Sequence, residues 1–321
     1  MTGTLQKGRL SLLARSGVWI VLAVLIVIGA LRYDGFLSAY NLTSFLRYNS
    51  MFALIALGMA FVIMTGGIDL SVGSIVAFSS VVAALLSPQG VWLATLVAVG
   101  AAAVLGFVNG VIISRLNILP FIVTLAMMLA ARGAALTLAK NQSVGVSSDS
   151  GFTVLGQGDW LGFPIPGWLM IAAYLVGAVV LYYTAFGRHV LALGSGEEAS
   201  RLMGLPVNWV KVWVYTASGL LAGLAGVILA SQFGAGQPTE GLGWELSAIA
   251  SVVVGGTLLT GGLGSVGGTL AGALLLGLIF NMLNFENGKG LISLSSYWQS
   301  VIRGFFLMLV VILQNRSLGR R

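Results

Sequence analysis

Ten apolar runs parted by short polar breaks occupy most of the 321 residues: 16–31, 51–65, 72–86, 91–114, 118–139, 168–186, 212–231, 246–260, 263–285 and 297–313. A helix needs about 20 apolar residues to cross a hydrocarbon core of about 30 Å. No soluble fold can bury ten such segments. The charges agree: the chain carries 16 Lys and Arg and 9 Asp and Glu, whereas about a quarter of an ordinary soluble domain is charged. The expectation is an all-α integral membrane protein of about ten transmembrane helices in a single domain, 1–321, with some helices broken at Gly-rich segments. Soluble enzymes, coiled coils and disordered chains are excluded. There is no Cys and one His, His189, which removes thiol chemistry, disulfides and His-based metal clusters. The 45 glycines suit helices that approach closely through small residues.

Alternating the loops across the bilayer sorts the cations. Lys7, Arg9, Arg15, Arg115, Arg188, Arg201, Lys211, Arg316, Arg320 and Arg321 fall on one side; Arg32, Arg47, Lys140 and Lys289 fall on the other. The cation-rich side is cytoplasmic by the positive-inside rule, which places both termini there. Asp34, Asp149, Asp159, Glu240, Glu245 and Glu286 sort to the opposite face. The net charge of +7 is therefore a topology signal, and no nucleic-acid partner is expected. The first run follows three cations like a signal peptide but ends in Arg32-Tyr33-Asp34, without a small-residue cleavage site, and reads as a retained anchor.

Runs 51–65, 72–86, 246–260 and 16–31 are short for a full crossing. The first two flank Thr65-Gly66-Gly67-Ile68-Asp69-Leu70-Ser71-Val72-Gly73, and the third leads into Thr260-Gly261-Gly262-Leu263-Gly264-Ser265-Val266-Gly267. The two stretches are alike but lie 195 residues apart, too far for a two-fold repeat of this chain. Irregular backbone at membrane depth survives only where protein buries it or a wet cavity adjoins it. In transporters, Gly-interrupted segments point to the transport path. Asp69 with Ser71 can cap the helix that starts near Val72, or contact a substrate.

The polar stretch 140–167 reads as an external loop with room for a short strand or an interfacial helix, and 187–211 reads as cytoplasmic. Within the latter, Gly196, Glu197, Glu198, Ala199, Ser200, Arg201, Leu202, Met203 and Gly204 form a short amphipathic helix. Ser195 and Glu198 fit a capping box, and Gly204-Leu205-Pro206 stops the helix. It is either a solvated connector or a rigid element docked into a cytoplasmic motor. The chain has no phosphate-loop motif, so ATP with its Mg would bind a partner. Gly262-x-Gly264-x-x-Gly267 matches a dinucleotide fingerprint but lacks a βαβ unit around it. The pairs Gly106/Gly110, Gly219/Gly223 and Gly268/Gly272 read as helix contacts.

Gly187-Arg188-x-Val190-x-Ala192-x-Gly194 followed by Glu198-Ala199-x-x-x-x-Gly204 resembles the coupling-loop signature of bacterial ABC sugar-importer permeases of the ribose/xylose/galactofuranose class. Thr65–Ser74, Gly106–Gly133, Gly234–Thr257 and Gly261–Gly272 also match that family, in order, over about residues 45–315. The string from Ile249 to Leu270 is most similar to galactofuranose-type members. The family often has Gly-Asn-Asn where this chain has Gly196-Glu197-Glu198. The resemblance implies a permease with no chemistry of its own that works by alternating access in the bacterial inner membrane. It implies pairing with a second permease subunit, a cytoplasmic ABC ATPase and a periplasmic sugar-binding protein.

A neutral sugar calls for hydrogen-bonding groups and an aromatic face without strong charge. Phe61, Thr65, Asp69, Ser71, Asn109, Asn281, Asn284 and Arg303 are the path candidates, with Phe107 and Phe280 as further aromatic faces. For the Asn residues, helix bridging competes with ligand contact. Arg132 is expected to snorkel outward. Arg303 is expected to pair with carbonyls of a broken helix. In the external stretch 232–245, Pro238 and the glycines argue against helix, and Gln237, Glu240, Trp244 and Glu245 suit docking of a binding protein. An ABC importer for a branched-chain amino acid or a nucleoside is the nearest alternative. A secondary carrier would need more ionisable groups in the membrane than the few seen here.

Overall fold

The structure, a computed structural model, describes residues 2–288 (side chains from residue 17) together with Trp298, Val301, Gly304, Phe305 and Met308. Run 297–313 as a crossing, Arg303, Lys289 and the C-terminal arginines lie outside the described residues. The helices are α1 (Thr2–Arg32), α2 (Ala39–Met64), α3 (Val72–Leu86), α4 (Val91–Leu116), α5 (Pro120–Leu138), α6 (Val154–Gln157), α7 (Ile165–Tyr183), α8 (Ala185–Ser195), α9 (Glu197–Leu202), α10 (Val207–Phe233), α11 (Trp244–Val254) and α12 (Val266–Gly288). Among the described residues, seven helical spans are long and apolar enough to cross a membrane, and the apolar part of α1 (Gly17–Arg32) and α11 are shorter. The chain is an all-α, multi-pass membrane protein.

Run 51–65 proves to be the second half of a 26-residue helix rather than a short crossing. The first half of α2 is masked in the sequence by Asn41, Thr43, Arg47, Asn49 and Ser50. Three of these polar groups are satisfied by the helix itself: Thr43 Oγ1, Asn49 Nδ2 and Ser50 Oγ donate to the carbonyls of Ala39, Phe45 and Leu46. Polar stretch 187–211 also hides α8, whose buried face includes Val190 and Leu193. Loop 140–167 holds strand β1 (Val144–Gly145), α6, and a hairpin of β2 (Asp159–Trp160) and β3 (Phe163–Pro164). β1 pairs antiparallel with β4 (Ala235–Gly236), which ties this loop to the exit of α10.

The small-residue pairs are helix contacts. Gly106 and Gly110 of α4 lie so close to the α10 backbone that a Cβ would overlap Tyr215 O or Val212 Cα, and Gly219 and Gly223 return the contact onto Ala102. Gly268 and Gly272 of α12 meet Gly255 and Ser251 at the end of α11. Of the dinucleotide-like glycines, Gly262 and Gly264 pack against Ser195 and Met64 in the break before α12, a Cβ on Gly267 would meet open space, and no βαβ unit surrounds them among the described residues.

Two crossings are broken halfway. After α2 ends, the chain turns back, so that Asp69 reaches Ser218 of α10, the same residue on which Gly58 packs. From there α3 runs on alone, with Gly226 of α10 packed on Val76 and Ser79. On the other side, β4 leaves α10 beside Ser80, Val81 and Ala84 and the chain descends along α3 until Gly241 meets Gly73. There α11 begins and runs antiparallel to α12, Ser251 opposite Gly272 and Gly255 opposite Gly268. At a rise of about 1.5 Å per residue, eleven residues span only about 16 Å. The N-termini of α3 and α11 thus face each other inside the bundle. Run 246–260 ends earlier than the sequence suggests because Gly256, at φ 88°, closes the helix: its N–H reaches Val253 O and that of Thr257 reaches Val252 O.

Candidate translocation site and coupling helix

The inner break is locked by a buried polar knot. Asp69 Oδ1 accepts from the Ser71 amide (3.0 Å) and the Ser71 hydroxyl (2.6 Å), and Oδ2 accepts from Ser218 Oγ (2.8 Å). Asn109 Nδ2 of α4 donates to Ser71 Oγ at 3.0 Å. Asp69, Ser71 and Asn109 are wholly buried. The expected cap is altered: Ser71 makes no side-chain cap to α3, and Asp69 holds the residue before the helix while tying it to α10. Thr65 Oγ1 bonds to Val62 O at the end of α2.

A cavity of about 270 Å³ opens between α2, α11 and α12. Asn281, Asn284 and Phe280 line it, joined by Tyr48, Asn49, Phe52, Ser247 and Ser251, which no local pattern in the chain singles out. Asn49 comes within reach because Gly277 has no side chain; a Cβ there would collide with Asn49 Oδ1. Asn281 also bridges helices, exchanging bonds of 2.9 and 3.3 Å with Asn41. None of the described residues lining the cavity is charged. Phe61 lies elsewhere, on an apolar groove between α2, α7 and α10, and Phe107 points outward, 45% exposed. The structure thus separates the described path candidates: Asp69, Ser71 and Asn109 form the knot, Asn281 and Asn284 line the cavity, Thr65 closes α2, and Phe61 is buried at the apolar groove.

The docking candidates are not gathered on an outer surface. Trp244 is buried, its ring 4.4 Å from that of Phe52. Gln237 donates its amide to Ser80 Oγ. Glu240 and Glu245 are half-buried; Glu245 Oε2 stands against Gly73 at the start of α3, 2.8 Å from where a Cβ would be. Arg132 does not snorkel. Its Nη1 donates to Pro238 O (2.5 Å) and Glu240 O (2.6 Å), holding the descending segment to α5, within electrostatic reach of the Glu245 and Glu240 carboxylates. This satisfies the rule that irregular backbone at depth must be buried in protein. Its sequence cause is the Pro238 and Gly cluster, which cannot continue α10.

At the opposite end from the cavity mouth, α9 stands on α8 and α10. The helix is shorter than expected, and the capping box does not form: Ser195 is the last residue of α8 and bonds Leu191 O, while Gly196 is the N-cap without a side-chain bond. Glu197 instead holds Lys211 of α10 at 2.7 Å and Arg201 at 3.3 Å. Ser200 is buried, and Leu202 and Met203 are 84% and 70% exposed. The helix thus carries an exposed apolar tip at Leu202 and Met203 while Glu197 anchors its polar side.

The family model described as branched-chain amino acid transport system / permease component matches residues 41–311. The ribose import permease protein RbsC of Escherichia coli is 42% identical over 93% of this chain and 92% of its own length, and that of Bacillus subtilis is 40% identical over 94% and 92%. The L-arabinose transport system permease protein AraH of Escherichia coli is 36% identical over 92% and 89%. On a match covering most of its length, the chain belongs to the branched-chain amino acid transport system / permease component family.

Proposed function

We propose that this protein is the membrane permease subunit of an ATP-driven importer for a monosaccharide such as a pentose or hexose, working by alternating access in the bacterial inner membrane. The observation that carries the substrate class is the uncharged cavity between α2, α11 and α12. Its asparagine amides, serine hydroxyls and the faces of Tyr48 and Phe52 suit a neutral polyol, whereas the zwitterion of an amino acid calls for ionic partners. The ribose and arabinose permease relatives favour the same reading.

In this reading the chain crosses ten times, with both termini cytoplasmic. The seven long helices, α1 and the broken crossing through α11 are joined by run 297–313. Two permease subunits pair, ATP and Mg bind a cytoplasmic ABC ATPase, and a periplasmic sugar-binding protein delivers the cargo. Trp160 and Leu161, exposed on the loop between α5 and α7, offer the binding protein a docking surface, whereas Trp244 is buried and Gln237, Glu240 and Glu245 are only partly exposed. The α9 helix meets the ATPase through Leu202 and Met203.

Reconstitution of the permease with its ATPase and binding protein tests this. ATP-dependent uptake of a labelled pentose or hexose is expected from the parent. Leu202→Asp should lose both ATPase co-purification and uptake while still inserting in the membrane. Uptake by the permease alone, or full ATP-driven uptake by Leu202→Asp, refutes the proposal.

A further inference from the structure

Three glycine-bearing segments far apart in sequence meet at one point, behind the coupling helix. Gly194, in the last turn of α8, lies against the end of α2 and the second break: a Cβ on it would overlap Met64 O and Gly262 N. Gly261 stands so close that a Cβ would be 2.7 Å from the Gly66 amide nitrogen and 3.0 Å from Gly194 Cα. A Cβ on Gly262 would fall 2.6 Å from Ser195 Oγ and 3.0 Å from Ser195 N. The Gly262 amide donates to Met64 O at 3.0 Å, a backbone bond between the two breaks. Gly264 rests on the Met64 side chain. Gly66, Gly261 and Gly262 hold φ of 80°, 84° and 77°, a region that favours glycine. The two alike Thr-Gly-Gly stretches therefore touch one another, with the root of α9 clamped between them.

We infer that Gly194, Gly66, Gly261 and Gly262 form a rigid joint through which movement of α8–α9 reaches both broken crossings together. The inference rests on the reading that α9 meets an ATPase. Backbone packed on backbone has no side-chain rotamers to absorb a displacement, so the three segments travel as one body. The glycines are positioning residues; none lines the cavity.

A direct test in the assembled transporter measures sugar moved per ATP hydrolysed. Gly194→Ala, at a helical position where only space is at fault, should keep the ATPase bound and hydrolysing. Sugar moved per ATP should fall by about tenfold, within the range over which coupled sites influence each other. Gly100→Ala, on an open face of α4, should match the parent. An unchanged sugar-to-ATP ratio in Gly194→Ala overturns the joint, as does loss of ATPase binding in that variant when Leu202→Asp has shown α9 to be the docking element. If Gly194→Ala does not reach the membrane, Gly264→Ala decides, because it crowds only the Met64 side chain at the same meeting point and sits at no positive φ: a lowered sugar-to-ATP ratio supports the joint and a parental ratio overturns it. Failure of the ATPase reading is visible separately, as ATPase retention by Leu202→Asp.

Discussion

Asp69 makes its neighbours' polarity tolerable, and replacing it measures that directly. Its carboxylate accepts three bonds, from the Ser71 amide, the Ser71 hydroxyl and the Ser218 hydroxyl, with every partner buried. In Asp69→Ala the two hydroxyls can turn: Thr216 already shows that an α10 hydroxyl can bond back to the carbonyl four residues earlier. The Ser71 amide cannot turn. A buried donor left unsatisfied costs about 1–3 kcal/mol, and hydrogen bonds to a charged group are worth about 1.5–3 kcal/mol each. Removal also relieves the desolvation of the carboxylate, which offsets part of that loss. The net expectation is a destabilisation of about 3 kcal/mol for Asp69→Ala. Asp69→Asn keeps the acceptor toward Ser71 and requires only that Ser218 reverse its hydroxyl, so about 1 kcal/mol is expected. Unfolding in a denaturing-detergent titration, followed by the fluorescence of the eight tryptophans, reads both values. A double-mutant cycle with Ser218→Ala isolates the tie across helices. Stability of Asp69→Ala within about 0.5 kcal/mol of the parent, or equal damage from Asn and Ala, would refute the reasoning.

Three further outcomes follow from single contacts. Lys211→Ala removes the Glu197 anchor of α9; it should cost under about 1 kcal/mol of stability yet weaken ATPase binding in a co-purification assay. Gly219→Val drives a side chain into Ala102 O and Gly106 at the α4–α10 crossing; the titration midpoint should drop by about 1–3 kcal/mol of stability, and unchanged stability would deny the tight crossing. Arg132→Ala frees the carbonyls of Pro238 and Glu240, for about 2 kcal/mol. Arg132→Lys should recover only part of that loss in the same titration, because a single ammonium replaces a planar fork.

What could be read from the chain was whatever a local period or composition encodes. The apolar runs gave the membrane, and the glycine pairs at 106/110, 219/223 and 268/272 gave the helix contacts, since close approach demands small residues at that spacing. The start of α2 was hidden because Thr43, Asn49 and Ser50 spend their polarity on their own helix, which hydropathy cannot see. The cavity was half legible: Asn281 and Asn284 stand out in an apolar run, but Ser247, Ser251 and Phe52 look like any span, and Asn49 depends on a missing Cβ 228 positions along the chain, at Gly277. Glu240, Trp244 and Glu245 read as external because loop alternation puts stretch 232–245 on the outer face and Pro238 and the glycines argue against a helix there. Arg132, more than 100 residues earlier, helps hold their return into the bundle, together with Ser80 and Phe52.

The short helix α11 runs between the cavity and the proposed glycine joint. Its N-terminal turn carries Trp244 against Phe52, its middle presents Ser247 and Ser251 to the cavity, and its C-terminal end passes through Gly255 and Gly256 toward the glycine joint. A displacement at the joint has only about 16 Å of helix to cross before it reaches the cavity wall. Because α11 stops short of a full crossing, it can tilt without dragging a whole transmembrane span. If this element transmits the movement, its stiffness matters apart from its contacts. Ala248→Gly with Ala250→Gly softens it at about 1 kcal/mol per substitution and leaves every residue named above in place. The doubly substituted transporter should bind its ATPase and hydrolyse ATP at the parental rate while moving less sugar per ATP. A parental ratio would mean that the cavity wall is moved by α2 or α12, which also border the cavity, rather than by α11.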